Sequence, residues 1–221
     1  MANYAVIVAA GRSTRFGQTK QFYPFKGRPL ILYALDPFET NAHINDIIVV
    51  VPRQRITYTR YLIKKWGYKK IRHIVAGGTR RQDSVLCGLN TLKRQSGIVA
   101  IHDGCRPIGV SNLISRGIKL CYKYQAVIFG ILVHDTIKRV KKYRVQNTVS
   151  RSNLYLIQTP QFFSINLIKR AYAQADLSID YTDEAAILES LGWPVYCFTG
   201  NRFNIKITEV SDLRTINTLL P

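Results

Sequence analysis

Acidic residues are scarce in this chain. Asp and Glu number 13 against 32 Lys and Arg, which leaves a formal charge of +19 on 221 residues. None occurs between Asp46 and Asp83, or between Asp135 and Asp176. That balance favours polyanionic partners: nucleic acid, an anionic membrane, or small phosphorylated substrates. No apolar run approaches the roughly 18 residues of a membrane span, so no membrane partner is expected. The first strand-like run begins at Tyr4, which leaves no room for a secretory leader and points to a cytoplasmic location. The four cysteines, Cys87, Cys105, Cys121 and Cys197, form no CxxC pair. A disulfide framework and a structural zinc site are therefore not expected, and the thiols are read as reduced and mostly buried. Neither GxGxxG nor a Walker loop occurs, which excludes the two commonest nucleotide fingerprints. Repeats, low-complexity segments and linkers rich in Pro, Gly and Ser are missing too, so residues 1–221 read as one domain. With 47% hydrophobic residues the chain can bury a sizeable core, and whole-chain disorder is excluded.

What is present is alternation. Largely apolar runs of strand length lie at Ala5–Ala9, Ile47–Val51, Ile71–Val75, Ile98–His102 and Ala126–Val133. Runs this apolar suit parallel strands buried on both faces. Helix candidates separate them at Leu30–Glu39, Thr57–Trp66, Gln82–Leu92 and Asn112–Tyr124, the last with Ser111 as its N-cap. The expected fold is α/β: a Rossmann-like, mostly parallel sheet with helices on both faces. Right-handed crossovers place the strand C-termini, where such sheets bind ligands, along one edge. After Val133 the alternation breaks. Residues 134–158 are polar and basic without helical period, and read as a projecting β-arm. Helices are expected again at Ser164–Asp176, Thr182–Leu191 and from Ser211, with strands at Val195–Phe198 and Asn204–Ile207.

Four groups of residues carry chemistry on this frame. Ala9-Ala10-Gly11-Arg12-Ser13-Thr14-Arg15-Phe16-Gly17 is followed by Thr19-Lys20-Gln21. Small residues let backbone N–H groups approach phosphate oxygens, and Arg15 and Lys20 can neutralise them; an ordinary surface loop is the alternative. Gly77-Gly78 precedes Arg81, Asp83 and Ser84, where a turn opens a helix whose first amides can hold a polar ligand edge. A plain strand–helix turn fits the same residues. His102-Asp103-Gly104-Cys105-Arg106-Pro107 puts an acid at a strand end, placed either for Mg²⁺ with a substrate phosphate or for an ion pair with Arg106. His102 is read as packed, not as a ligand. The late group is Arg151, Thr159-Pro160-Gln161, Thr182-Asp183-Glu184-Ala185 and Asn204-Ile205-Lys206. Thr182 reads as an N-cap with two carboxylates in the first turn, while Lys206 interrupts an apolar run and needs an anionic partner.

In this order, and with Asp135-Thr136-Ile137-Lys138 at the start of the arm, the segments resemble the 2-C-methyl-D-erythritol 4-phosphate cytidylyltransferase family. The resemblance runs from about Tyr4 to Leu219. The chain departs from the family pattern at Ser13, Thr19, Cys105 and Phe203, where glycine, proline, alanine and a polar residue are usual. The resemblance implies a nucleotide-diphospho-sugar transferase-like fold. It also implies transfer of a cytidylyl group from CTP to methylerythritol phosphate, with release of pyrophosphate, in the non-mevalonate route to isoprenoids. Arg15, Lys20 and Lys206 would be the catalytic cations. Ala9, Ala10, Gly11, Gly78, Ser84 and Gly104 would hold the nucleotide, and Asp103 would hold Mg²⁺ beside the acceptor. Arg106, Thr136, Arg151, Thr159 and Thr182 would complete the acceptor pocket with Asp103. The arm would cross to a second subunit, making a homodimer in which Arg151 serves the partner's site. Two rivals stay open at this point: a ribitol 5-phosphate cytidylyltransferase of the same fold, and a basic nucleic-acid-binding protein. The basic segments carry neither an RNP-like aromatic pattern nor a recognition-helix signature, so specific nucleic-acid binding is not the expectation.

Overall fold

The computed structural model describes residues 1–11 and 19–219. β1 (Asn3–Val8) is an interior strand, buried along its whole length. A strand apolar on both sides needs cover on both sides. Ala5 and Ile7 face a core built with α1 (Leu30–Thr40), α2 (Ile56–Lys65) and α4 (Ser111–Tyr124). Tyr4, Val6 and Val8 face a second core built with α3 (Arg81–Leu89), α5 (Ile165–Gln174) and α6 (Glu184–Ser190). The alternation along one strand thus sets two helical layers on opposite faces of one sheet.

That sheet has seven strands, in the order β11 (Tyr196–Thr199), β7 (Ala126–Leu132), β10 (Tyr155–Ser164), β6 (Ile98–Asp103), β1, β4 (Asp46–Val51) and β5 (Ile71–Ala76). β10 alone runs antiparallel to its neighbours. From β1 the chain steps outward to β4 and β5. It then returns through α3, across the other face, to deliver β6 on the far side of β1. α3 lies close on the sheet because Gly88 has no side chain: a Cβ there would sit 2.5 Å from Val6 Cγ1. The reversal of strand order opens a crevice at the C-terminal ends of β1 and β6. A small ribbon, β2 (Pro24–Phe25) with β3 (Arg28–Pro29), lies elsewhere. Its Phe25 packs with Leu30, Ile207 and the Leu213 and Ile216 of α7 (Asp212–Leu219). The arm is a separate antiparallel hairpin of β8 (Ile137–Lys141) and β9 (Arg144–Val149), exposed along nearly all its residues. No helix among the described residues is long and apolar enough to cross a membrane.

Several expectations are corrected. Residues 155–158, assigned to the arm, begin β10 and pair with β7. The polar Gln158, Thr159 and Gln161 hide this strand in the sequence, yet all three are buried. Residues 204–207 join no strand. They bend back to the crevice, where Ile207 N–H donates to Cys105 O at 2.9 Å and the Arg106 guanidinium to Asn204 O at 2.8 Å. Ser111 is the first helical residue of α4, not its cap; Val110 stands at that position. Asp183, not Thr182, caps α6, accepting from Ala186 N–H at 2.9 Å. All four thiols are free, but only Cys105 and Cys121 are buried; Cys197 is exposed on the edge strand β11.

Candidate active site

Two cavities open at the crevice. The first, of about 330 Å³, is lined by the turn after β1 (Ala10, Gly11), by Lys20 and Gln21, and by Gly78 to Arg81 with Ser84. Gly77 brings the turns after β1 and β5 together, since a Cβ there would lie 2.3 Å from Ala10 Cβ and 2.7 Å from Ser84 Oγ. Ser84 Oγ accepts from Gly78 N–H at 3.1 Å and closes the loop on the start of α3. Ala9 and Gly104 lie behind this cavity. Ala9 N–H donates to Val50 O at 2.7 Å and Gly104 N–H to Val8 O at 2.8 Å. The second cavity, of about 200 Å³, is lined by Arg106, Gln158, Thr159, Gln161, Thr182 and Asp183. Three residues line both: Arg81, Asp103 and Lys206.

These three form one ion-paired chain. Asp103, at the end of β6, takes Arg81 Nε on Oδ1 at 3.0 Å and Lys206 Nζ on Oδ2 at 2.8 Å. Burial alone would raise its pKa. Arg81 and Lys206 outweigh that and hold the carboxyl well below the usual range, so it stays an anion. Arg81 also binds Glu184, which is fully buried, at 2.9 Å. Burial pushes Glu184 upward against the pull of Arg81. Burial lowers the pKa of the Arg106 guanidinium. It raises that of the Cys105 thiol, with Asp103 adding to the rise.

His102 sits behind this chain, fully buried as expected for a packed histidine. Its Nε2 lies 3.0 Å from Arg106 O and its Nδ1 3.1 Å from Thr159 Oγ1. A neutral ring donating from Nε2 and accepting at Nδ1 satisfies both contacts. Thr159 Oγ1 in turn accepts from Asp103 N–H at 3.0 Å, so the histidine indirectly fixes the strand end. Burial depresses the His102 pKa from 6.5 to about 4. The unfolded chain therefore binds a proton between those values while the folded chain does not. Stability from this group is complete above the unfolded value and is lost as pH falls through the folded one. Wild type is expected to lose on the order of 3 kcal/mol more than a His102→Gln variant between pH 7 and pH 4, read from urea midpoints. Equal losses would show that His102 does not drive the acid sensitivity.

Of the sequence candidates, the structure brings Ala10, Gly11, Lys20, Gly78 and Ser84 to the first cavity. It brings Arg106, Thr159 and Thr182 to the second, with Asp103 and Lys206 between them. Arg15 lies outside the described residues. Thr136 and Arg151 line neither cavity and are exposed; Arg151 hydrogen-bonds to the His134 carbonyl. The sequence also left Arg81 and Glu184 without a shared role. Their signal was a buried-acid requirement, visible only once α3 and α6 are adjacent. No group of three or more metal-ligating side chains occurs among the described residues. Mg²⁺ takes most of its oxygens from substrate phosphates and water and asks one or two carboxylates of a protein. Each Asp103 oxygen retains an acceptor direction beyond its bond to Lys206 or Arg81.

Residues 3–221 match the IspD family model, 2-C-methyl-D-erythritol 4-phosphate cytidylyltransferase. The chain is 40% identical to the enzyme of that name from Clostridium novyi (strain NT), over 96% of this chain and 93% of that one. It is 39% identical to the enzyme from Alkaliphilus metalliredigens (strain QYMF), over 94% and 88%. The solved 4-diphosphocytidyl-2C-methyl-D-erythritol synthase of Anaerococcus prevotii DSM 20548 superposes with a TM-score of 0.84 at 31% identity, covering 99% of this chain and 98% of that one. The crevice and its charged wall are thus carried by a chain that belongs to the 2-C-methyl-D-erythritol 4-phosphate cytidylyltransferase family.

Proposed function

We propose that the two cavities hold the two substrates and that the chain catalyses by placing charge where they meet. The reaction itself is the family's: CTP-dependent cytidylylation of 2-C-methyl-D-erythritol 4-phosphate in the non-mevalonate pathway. The observation that carries the assignment of parts is the common wall of Arg81, Asp103 and Lys206. CTP takes the larger cavity, with Ala10, Gly11, Gly78 and Ser84 against base and ribose, and Ala9 and Gly104 supporting that wall from behind. The polyol phosphate takes the smaller one, against Arg106, Thr159 and Thr182. Its phosphate oxygen attacks the α-phosphorus in line and pyrophosphate leaves. The attacking group is already an anion, so no general base and no covalent enzyme intermediate are needed. Lys20 and Arg15 hold the triphosphate, and Lys206 meets the α-phosphate from the acceptor side. Asp103 would hold Mg²⁺ together with triphosphate oxygens, and a bound Mg²⁺ supplies charge neutralisation there. Thr136 and Arg151 serve the acceptor pocket of a second subunit in a cytoplasmic homodimer.

Pyrophosphate release with each of the four nucleoside triphosphates and both polyol phosphates, with and without EDTA, tests this. Strong preference for CTP and methylerythritol phosphate is expected, because a pocket whose buried polar groups pair with one base leaves them unpaired with another. Excess EDTA is expected to abolish turnover. Equal rates with UTP would sink the base pocket, faster turnover of ribitol phosphate would reassign the acceptor, and full activity in EDTA would remove the metal.

A further inference from the structure

We infer that Glu184 and Arg81 are positioning residues that hold Asp103, and through it Lys206, at the wall common to the two cavities. The inference rests on the assignment of cavities above and deepens it. Glu184 is fully buried, a place where a carboxylate needs a cation. Both of its oxygens accept from Arg81 Nη1 at 2.9 Å, and the Tyr172 hydroxyl donates to Oε1 at 3.2 Å. This anchor fixes the guanidinium so that Nε faces Asp103 Oδ1 at 3.0 Å, while Lys206 holds Oδ2. Anion and cation alternate along Glu184, Arg81, Asp103 and Lys206, from the protein interior to the meeting point of the substrates. Arg81 Nη2 is buried with no partner among the described residues. The orientation of the guanidinium is set by its bonds to the two carboxylates.

The chain has a consequence for chemistry. Among the described residues, Arg81 and Lys206 are the only side chains bonded to the Asp103 carboxylate. Freed from Arg81, that carboxylate is tied on one side only and turns with Lys206. A displacement of about 1 Å at a reacting centre costs up to about a hundredfold in rate.

Pyrophosphate release is to be followed for Glu184→Gln, Arg81→Lys and the double variant, with kcat and KM determined for each substrate on folded protein. Each single change is expected to lower kcat about ten- to a hundredfold, with KM values little changed. The double variant is expected to lose no more than the worse single one, because both break the same chain. Tyr172→Phe keeps the ring packing, removes one bond to Glu184, and is expected to lower kcat a few-fold. Unchanged kcat in either single variant overturns the inference, as do losses that multiply in the double or that fall on KM alone. If substitution at 184 unfolds the protein, Tyr172→Phe decides: lowered kcat at unshifted KM supports the chain, and unchanged kcat overturns it. Wild-type protein that fails to turn over the two substrates refutes the underlying reaction instead, whatever the variants do.

Discussion

Lys206→Ala is expected to lower kcat by about two to three orders of magnitude, the usual cost of removing one preorganised charge from a developing phosphoryl transition state. Lys20→Ala is expected to behave similarly. Neither change is expected to shift the thermal midpoint by more than about 4 °C, which corresponds to roughly 1–2 kcal/mol in a chain of this size. The asymmetry follows from burial. The Lys206 side chain is 42% exposed, whereas that of Asp103 is 9% exposed. Removing the lysine leaves the buried carboxylate still paired with Arg81, so no orphaned charge remains in the interior. The backbone of its segment is held independently by Ile207 N–H on Cys105 O and by Arg106 on Asn204 O. Parallel measurement of kcat and thermal midpoint checks both halves. Near wild-type turnover would remove Lys206 from the catalytic machinery. Unfolding would show instead that its bond to Asp103 is what holds residues 204–207 in place.

That segment also marks where sequence reasoning reached its limit. β1, β4, β6 and β7 were legible because strands covered on both faces are rich in apolar residues, whereas the edge strand β5, half-buried at best and interrupted by Arg72 and His73, was legible mainly from its place in the alternation. The loops after them were legible as well: Ala10, Gly11 and Gly78 announce close backbone approach, and Asp103 announces a charge at a strand end. The pattern failed where burial is bought with hydrogen bonds instead of apolar surface. β10 carries Gln158, Thr159 and Gln161 inward. Gln158 Nε2 donates to Asn201 O at 2.8 Å and Gln161 Nε2 to Asp183 Oδ2 at 2.7 Å. Such residues look like a solvated loop until their partners, more than twenty positions away, are in place. Residues 204–207 failed in the opposite direction. Alternating Ile and Lys imitates a strand, yet side chains, two local turn bonds and one longer-range backbone bond, not a ladder, fix them. Glu184 looks in the sequence like a helix-start carboxylate because its cation lies 103 positions earlier in the chain.

The arm yields the second large effect. Its hairpin turns at Lys142 and Tyr143, both at positive φ, and exposes Val140 and Val145 along its length. Leu154, Tyr155, Leu156 and Ile157, at the base of the arm and the start of β10, are exposed as well. A lone two-stranded hairpin is marginal in water and gains stability by packing on a symmetry mate. Arg151 lies in the link from β9 to β10 and lines neither cavity of its own chain. If the arm crosses to a second copy, Arg151 enters that copy's acceptor pocket and adds a cation for the acceptor phosphate. Lys20→Ala and Arg151→Ala should then each be nearly inactive as homodimers. In a mixed dimer the two lesions fall together in one site, because the Arg151 that completes the damaged Lys20 site is itself missing. The other site is intact. Mixed dimers are therefore expected to recover about half the activity of a normal dimer, on simple independence of the sites. If Arg151 acted within its own chain, each site would keep one lesion and mixing would recover nothing. A mixed dimer verified by differential tagging, yet inactive, would refute the cross-subunit site while leaving the cytidylyltransferase assignment standing.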